Sequence, residues 1–556
     1  MCKLFCYSAS NTLIQKIINN KVLNGSPTKT IAGAALIVSV AGVLSRILGL
    51  FRDRILASKF GAGDELDIYY AAFRVPDLIY NFLIVGALSA AFIPVFTGLI
   101  TKKNRDKAWD LASGLLTLQV IIVIAISLIF FLFAPVLMKL ITPGFNPDKI
   151  TQVANLTRIM FLSPLFLGIS AIFGGILVSY KRFLVYSIAP IFYNIGIIIG
   201  AVFFVEFWGI AGLAWGVVLG ALMHFMLQFA AVKFVGFTYQ FRKIGEIIKD
   251  ANIRKVIRLM IPRSMAMGVS QINLLIVTIF ASTLASGSLA VFNFANNLQS
   301  VPLGIFGISF SIAAFPQLSS LAAKENINKF NYVFTRTFKR ILFFVIPASL
   351  IIFSLRAEIV RAVLGGGEFD WEDTTATLWV LGFLSLSLFA QSTIPLLTRC
   401  FYALENTKTP FYAALISETI NILLVIILID RFQILGLAIA FSLASIVNMA
   451  TLFFLLNKKF ENINKRKMAD SVVKILIASA FLMIAIYLTR HTLANFIQLK
   501  TLGEVLAQLI ISAGMGVSTF LIACYWLQIE EFNDFKKSTF EYIFKKPKAL
   551  EEENNL

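Results

Sequence analysis

Arginine residues occur within long apolar segments near the amino end of the chain. Arg46 and Arg52 lie in the apolar segment 31–59, and Arg74 lies in the next one, 67–99. A charged side chain at the centre of a bilayer costs about 2.5–3.5 kcal/mol even on the most lenient insertion scale. A guanidinium group offers paired N–H donors that match phosphate oxygens. This pattern favours a site for a multivalent anion inside a membrane protein.

An internal ion pair is the alternative explanation for this charge. Arg46 and Asp53 share one helical face, so they could neutralise each other. The remaining arginines, Arg52, Arg54, Arg74 and Arg263, have too few acidic residues nearby for all of them to be paired within the chain. For Arg74 and Arg263, a second alternative is that the side chain extends toward the membrane interface.

Two further polar groups interrupt apolar segments. Pro76 and Asp77 lie in the second segment, where they predict either a simple kink or a gating hinge. Glu418, Thr419 and Asn421 lie within the eleventh. Because carboxylate, hydroxyl and amide oxygens suit a hard cation or a proton, this second group is a candidate site for a coupling ion.

The composition indicates which kind of protein must hold these residues. Of 556 residues, 58% are hydrophobic and only 14% are charged, which predicts an all-α integral membrane protein. Fourteen apolar runs are long enough to cross the hydrocarbon core. They are 31–59, 67–99, 108–141, 151–179, 183–205, 209–235, 256–283, 288–321, 330–363, 374–402, 410–429, 433–456, 470–489 and 503–527.

The loops predict an orientation in the membrane. Basic loops alternate with short neutral or acidic ones, which places the basic loops and both termini in the cytoplasm. The basic connections are 101–107, 180–183, 241–255, 457–467 and 544–548; the others are 61–67, 142–149, 205–209 and 365–373. The net charge of +19 is explained by these loops, so we expect no nucleic-acid partner.

A weak internal repeat divides the chain. Segment 45–63 aligns with 270–288, and 88–99 aligns with 310–321, at a nearly constant separation. This predicts two pseudo-symmetric six-helix bundles followed by two extra helices. The expected regions are a cytoplasmic tail 1–29, a first lobe 30–235, a linker 236–255, a second lobe 256–457, two helices with their preceding loop 458–527, and a tail 528–556.

The repeat also bears on the arginines. Arg46 aligns with Gln271 and Arg52 aligns with Val277. The fold therefore does not require arginine at either place, and the charge is assigned to function.

Two long segments resemble the signatures of a known family. The segment 45–96, which begins SRILGLFRDRILASKFGAG, is similar to the amino-terminal signature of the MurJ (MviN) family, and 268–288 with 303–319 resembles its second signature. The resemblance implies a MATE-like member of the MOP exporter superfamily with a central cavity. It implies a flippase that moves lipid II, the undecaprenyl-diphosphate-linked peptidoglycan precursor, from the inner to the outer leaflet of the bacterial cytoplasmic membrane.

The resemblance also implies roles for individual residues. The family's essential cavity arginines match Arg46 and Arg52, and its acidic residue at the start of the second helix matches Asp67. This chain departs from the family at four positions where the family carries arginine or glutamate, namely Tyr80, Val85, Asn297 and Ser300. Arg74 and Arg263 are the nearest replacements for the missing positive charge. The last two helices are assigned to the lipid tail by resemblance alone, since their apolar faces would equally suit plain lipid contact.

Other classes of function fit less well. A multidrug or cation antiporter of the same superfamily would have an acidic, aromatic cavity, which the first helix contradicts. A membrane glycosyltransferase would need a catalytic site facing outward, where the loops are only a few residues long. An exporter of another polyprenyl-diphosphate-linked glycan stays an alternative. We expect a monomer in contact with membrane lipids, with no enzyme activity, no metal site and no cofactor, coupled to Na⁺, H⁺ or the membrane potential.

Overall fold

The computed structural model describes residues 31–82, 91–459, 465–496 and 501–536, with side chains for all of them except 31–36, 261–270 and 465–466. The predicted tail 1–29, Val85, the side chain of Arg263 and the last part of the tail 528–556 lie outside the described residues.

All regular elements in the described ranges are helices, as predicted. They are α1 Ile31–Phe60, α2 Asp64–Ala72, α3 Arg74–Tyr80, α4 Ile93–Thr101, α5 Arg105–Leu132, α6 Ala134–Ile141, α7 Pro147–Met160, α8 Leu162–Ser179, α9 Phe183–Ile199, α10 Val205–Trp208, α11 Ala211–Phe234, α12 Ile244–Lys249, α13 Ala251–Ala281, α14 Ser288–Pro302, α15 Ser309–Ala323, α16 Ile327–Ser354, α17 Arg356–Val363, α18 Trp371–Leu386, α19 Leu388–Ala403, α20 Lys408–Phe432, α21 Ile434–Lys459, α22 Lys465–Ala494 and α23 Leu502–Trp526. Short π-helical segments follow α9 and α14.

The structure confirms a membrane-spanning fold but not the count of fourteen helices. Among the described residues, ten helical stretches are long and apolar enough to cross a membrane, and α18 with α19, bent by 46°, would make an eleventh. The three other predicted spans coincide with α1, with the stretch from α2 to α4, and with α13. Two of these, α1 and α13, are continuous helices of 30 and 31 residues, but the side chains of 31–36 and 261–270 lie outside the described residues. Whether these two helices cross the membrane therefore stays a prediction.

The chain divides into two compact units. The first comprises 1–293 with 366–373, and the second comprises 294–365 with 374–556. In the first unit, the linker helix α12 and the start of α13 pack on α5, where a side chain in place of Gly114 would meet Ile247 and Ile253. The predicted boundaries between lobes, linker and tails stay predictions.

Glycine residues bring α9 and α11 of the first unit into close contact. A Cβ atom on Gly196 would lie 2.2 Å from the Cα of Gly220, and one on Gly200 would lie 2.4 Å from the Cα of Gly216. Such small residues at four-residue spacing let helix backbones approach in a membrane, where dispersion contacts replace the hydrophobic effect. This packing fixes α9, which also lies along α1.

A proline separates α2 from α3. Pro76 has no N–H to donate to the carbonyl of Ala72, and the helix is interrupted between them at Phe73. The carbonyl oxygen of Ala72 instead accepts a hydrogen bond of 3.3 Å from the hydroxyl of Thr157. The predicted interruption of the second helix is confirmed, and a role as a kink or a gating hinge stays a prediction.

The second unit has an aromatic core closed by an ion pair. Phe330, Phe334 and Phe338 are buried along one face of α16, which packs on α22. Lys339 follows them, and its ammonium nitrogen lies 2.7 Å from a carboxylate oxygen of Glu531, whose side chain is only 4% exposed. Residues 530–536, which are helical, are thereby held against α16.

Candidate substrate-binding site

Arg52 forms the centre of a polar cluster between α1 and α9. Its Nη2 lies 2.7 Å from Oδ1 of Asp53, and its Nε donates to the same oxygen at 3.0 Å. Its Nη1 donates to Oδ1 of Asn194 on α9 at 3.1 Å. Asp53 is buried, whereas the side chain of Arg52 is 21% exposed. The guanidinium group therefore has a charged partner, and the Arg52 side chain as a whole is still partly exposed.

The sequence placed Arg46 in the same site. The structure places it half-buried in the middle of α1, between the exposed side chains of Leu44 and Ile47. Asp53, which the sequence offered as a partner for Arg46, forms an ion pair with Arg52. The role of Arg46 in binding stays a prediction.

Arg74 is buried, with neutral oxygen atoms as its hydrogen-bond acceptors and the carboxylate of Asp77, on the same helix, close enough to interact electrostatically. Its Nε donates to the hydroxyl of Thr278 on α13 at 2.6 Å, and its Nη2 donates to Oδ1 of Asn293 on α14 at 3.2 Å. The residue is 7% exposed. Buried Tyr70 lies close enough to interact electrostatically with Arg74 and with the Arg52–Asp53 pair. Arg74 therefore does not extend to an interface but ties α3 to two distant helices.

Asp67 accepts hydrogen bonds from the start of α14. Its two carboxylate oxygens accept from the backbone N–H groups of Gly287 and Ala290, each at 2.8 Å. A carboxylate at a helix N-terminus satisfies donors that have no partner within the helix and interacts favourably with the helix dipole. The structure thus gives Asp67 a structural task, and its predicted contact with substrate stays untested.

Residues of two loops that were predicted to face outward, 61–67 and 365–373, lie close together in the first unit. The backbone N–H of Ala62 donates to Oδ2 of Asp373 at 2.7 Å, and that of Glu368 donates to the carbonyl of Ser58 at 2.9 Å. Gly287 has φ +84°, and a Cβ atom there would lie 1.6 Å from the carbonyl oxygen of Ala62. Loop 61–67 and the start of α14 therefore fit together only with glycine at this position.

The other predicted substrate residues lie partly beside Arg74 on α3 and partly in the second unit. Asp77 and Tyr80 are both half-buried on α3. Asn297 belongs to the second unit, where its backbone carbonyl accepts from the hydroxyl of Ser300 at 2.8 Å. Arg263 lies in α13, but its side chain is outside the described residues. These positions stay predictions.

The three coupling-ion candidates lie on α20 of the second unit, where Asn421 is buried near Glu418 and Thr419 is exposed. Asn421 is 1% exposed and its amide nitrogen lies 3.5 Å from a carboxylate oxygen of Glu418. The side-chain oxygen of Asn421 is buried without a partner among the described residues. Thr419 is exposed, and its hydroxyl donates to the carbonyl of Leu415 at 3.0 Å. Within the described ranges, no cluster of three or more acidic, histidine or cysteine side chains could hold a metal.

Sequence reasoning missed the neutral partners of the arginines. Asn194, Thr278 and Asn293 are far from Arg52 and Arg74 in the chain. Asn194 could have been found as a lone amide in the apolar helix FLVYSIAPIFYNIGIII, since such a group needs a hydrogen-bonding partner in a membrane.

Comparison with known proteins decides the family. The family model described as "Lipid II flippase MurJ" matches residues 56–505. The chain belongs to the MurJ family. A probable lipid II flippase MurJ of Vibrio cholerae is 30% identical over 534 residues, covering 92% of this chain and 99% of that protein. One of Buchnera aphidicola subsp. Baizongia pistaciae is 28% identical over 514 residues, covering 91% and 98%.

Solved structures agree with this assignment. A lipid II flippase MurJ in an inward closed conformation is 27% identical, covers 89% of this chain and 99% of that one, and superposes with a TM-score of 0.73. An inward-facing multidrug transporter of the MATE family, also of the MOP superfamily, superposes with a TM-score of 0.65 at 15% identity, which shows the fold alone. The MATE-like fold predicted from the MurJ resemblance is confirmed.

Proposed function

We propose that this protein is a flippase that moves lipid II from the inner to the outer leaflet of the bacterial cytoplasmic membrane. The proposal rests on one observation: the first unit of this MurJ family member holds the guanidinium groups of Arg52 and Arg74 between its helices. A guanidinium group inside a membrane is costly, and its paired N–H donors suit a phosphate group. A diphosphate linked to a lipid is such an anion.

In the proposed mechanism, the diphosphate competes with Asp53 for Arg52. The guanidinium group has five N–H donors, of which three have recorded acceptors, Asp53 and Asn194. Because Arg52 is partly exposed and Asp53 is buried, a ligand would approach Arg52 from the accessible side. Arg46 would assist in capture. Alternating access of the two lobes would then carry the head group across, with the lipid tail beside α22 and α23.

The proposal includes a location and an assembly state. The protein would be a multi-pass protein of the bacterial inner membrane with both termini in the cytoplasm, as the basic loops 101–107 and 241–255 favour. It would act as a monomer. No catalytic step is assigned, because translocation makes and breaks no covalent bond.

Transport by purified protein tests the function. Vesicles would carry fluorescent lipid II in one leaflet, and arrival in the other leaflet would be followed with an impermeant quencher. We expect transport of lipid II above that of protein-free vesicles, and none of a lipophilic cationic dye. If another polyprenyl-diphosphate-linked glycan moves and lipid II does not, the alternative cargo is correct. If only the dye moves, the protein is a cation exporter.

Arg263 is predicted to supply positive charge that Asn297 lacks. It follows Pro262 in α13, where the proline frees a carbonyl group and permits a bend. A diphosphate clamp needs the planar donor fork, whereas an interfacial anchor needs only a flexible cation. Arg263→Lys is therefore expected to lose part of the transport rate, and Arg263→Gln nearly all of it. Equal rates for both variants and the parent in vesicles would remove Arg263 from the site.

Transport is proposed to be coupled to a cation through Glu418 and Asn421. The unpartnered buried oxygen of Asn421 and the nearby carboxylate are hard oxygen ligands of the kind that Na⁺ or a proton prefers. Glu418→Gln is expected to leave lipid II binding intact and to abolish acceleration by a Na⁺ or H⁺ gradient. Thr492→Val is the control, because Thr492 is exposed on another helix of the second unit and its hydroxyl likewise only donates to backbone carbonyls of its own helix. A gradient response in Glu418→Gln equal to that of the parent would instead favour the membrane potential.

A further inference from the structure

An apolar groove of about 520 Å³ opens on the first unit between α5, α8 and α11. Ile124, Leu128 and Leu165 line it, and Trp215 is 39% exposed at its edge. Val123 and Phe131, both on its lining, are eight residues apart on α5, which corresponds to about 12 Å. That length is close to one leaflet of a hydrocarbon core that is about 30 Å thick in all.

One end of the groove carries a cation, Arg158. Its Cζ lies 5.3 Å from the ring centre of Phe131, its Nε donates to the carbonyl of Phe131 at 3.2 Å, and its Nη1 donates to Oδ1 of Asn155 at 3.3 Å. Both acceptors are neutral, and none of the ion pairs recorded among the described residues includes Arg158. Several of its five N–H donors are thus available to an anion.

The position of Arg158 matches the level of lipid head groups. Helices α7 and α8 form one stretch, Pro147–Ser179, and Arg158 lies about 32 Å from Ser179 at a rise of 1.5 Å per residue. This equals the thickness of the hydrocarbon core, so a membrane with Ser179 at one interface would have Arg158 at the other. Trp215, near the start of α11, is typical of the same interfacial level.

A second polar group lies one turn deeper. The hydroxyl oxygen of Ser127 lines the groove, is buried and has no recorded partner among the described residues. It precedes Phe131 by four residues, or about 6 Å along the helix. A buried hydroxyl without a partner is costly, and the ester carbonyl of a lipid lies at this depth below its phosphate.

We propose that this groove is a binding site for one membrane glycerophospholipid. Its phosphate pairs with Arg158, an ester carbonyl accepts from Ser127, and one acyl chain lies along Leu128 and Leu165. A single guanidinium group matches the single charge of a phosphodiester, whereas the diphosphate of the proposed cargo carries more charge. With the predicted orientation, the lipid belongs to the outer leaflet. The site is independent of the transport function proposed above.

Photolabelling of the full-length protein in vesicles tests the site. Three probes with a photoreactive group in the chain would be compared: phosphatidylglycerol, diacylglycerol without phosphate, and a polyprenyl diphosphate. We expect phosphatidylglycerol to label the peptides that contain residues 123–131 and 158–165. In Arg158→Gln, this labelling should fall at least threefold, and the weak labelling by diacylglycerol should not change.

Two further variants make the result decisive. Arg254→Gln is the control, since Arg254 is an exposed arginine outside the groove. Leu165→Trp fills the groove without changing its charge, so it should also reduce labelling. Size-exclusion chromatography checks the folding of each variant, and Leu165→Trp still tests the site if Arg158→Gln fails to fold. Equal labelling by phosphatidylglycerol and diacylglycerol in parent and variants would show unspecific lipid contact and overturn the proposal. Labelling by the polyprenyl diphosphate alone would assign the groove to the cargo instead.

Discussion

Arg52→Gln is expected to abolish growth of a MurJ-depleted bacterium that depends on this protein. A hydrogen bond to a charged group contributes roughly 1.5–3 kcal/mol, so losing one to the diphosphate would slow transport on the order of 10- to 100-fold. Arg52→Lys should restore only part of the rate, because lysine keeps the charge but loses the paired donors.

The ion pair with Asp53 complicates a single substitution at this position. Arg52→Gln leaves the buried carboxylate of Asp53 without its recorded cation, which is destabilising by itself. The double variant Arg52→Gln/Asp53→Asn removes both charges and leaves amide groups that can still bond to each other and to Asn194. We expect the double variant to regain the thermal stability of the parent in detergent but not its transport of lipid II.

The double variant separates the two roles of Arg52. If Arg52 served only to neutralise Asp53, removing both charges would restore transport together with stability, and the proposed anion site would be wrong. Arg46→Gln, measured beside it, should lose transport through substrate capture. Arg254→Gln, an exposed arginine of the linker, controls for the general loss of one positive charge.

Much of the architecture was predictable because it depends on local composition. Apolar runs predict helices wherever they are long enough, and ten such stretches are present in the described residues. The predicted break at Pro76 followed from one missing N–H donor. The predicted spans at α1 and α13 stay predictions, because the side chains of 31–36 and 261–270 lie outside the described residues.

The site was only partly predictable, because its contacts join residues that are distant in the chain. Arg74 was recognised as a buried-charge candidate, but its partners Thr278 and Asn293 lie more than 200 residues away, and neither stands out in its own helix. Asp67 was chosen by resemblance as a ligand contact. The structure uses both of its oxygens for the backbone of α14, a task that no local pattern around Asp67 indicates.

Gly287→Ala is expected to inactivate the protein through these long-range contacts. The added Cβ atom would lie 1.6 Å from the carbonyl oxygen of Ala62, and φ is +84°, where residues with a side chain are strained. The backbone must shift, so Asp67 would lose its hydrogen bond from the N–H of Gly287, which is now 2.8 Å long. Together these effects are expected to cost roughly 2–5 kcal/mol. They would appear as a lower melting temperature in detergent and a loss of complementation.

Gly209→Ala is the matched control for the backbone conformation. Gly209 also has positive φ, +53°, but nothing lies within 4 Å of a Cβ atom placed there. Only the strain of this backbone conformation, with ψ −144°, remains, about 1–3 kcal/mol, so this variant should melt lower and still support growth. Asp67→Asn removes the charge without steric overlap and should fall between the two, because its amide nitrogen cannot accept from a backbone N–H. If Gly287→Ala were as active as Gly209→Ala, the close fit between the start of α14 and loop 61–67 would not be required for transport. The loops would then be free to separate, and the carboxylate of Asp67 would be available to the substrate, as the family resemblance implies.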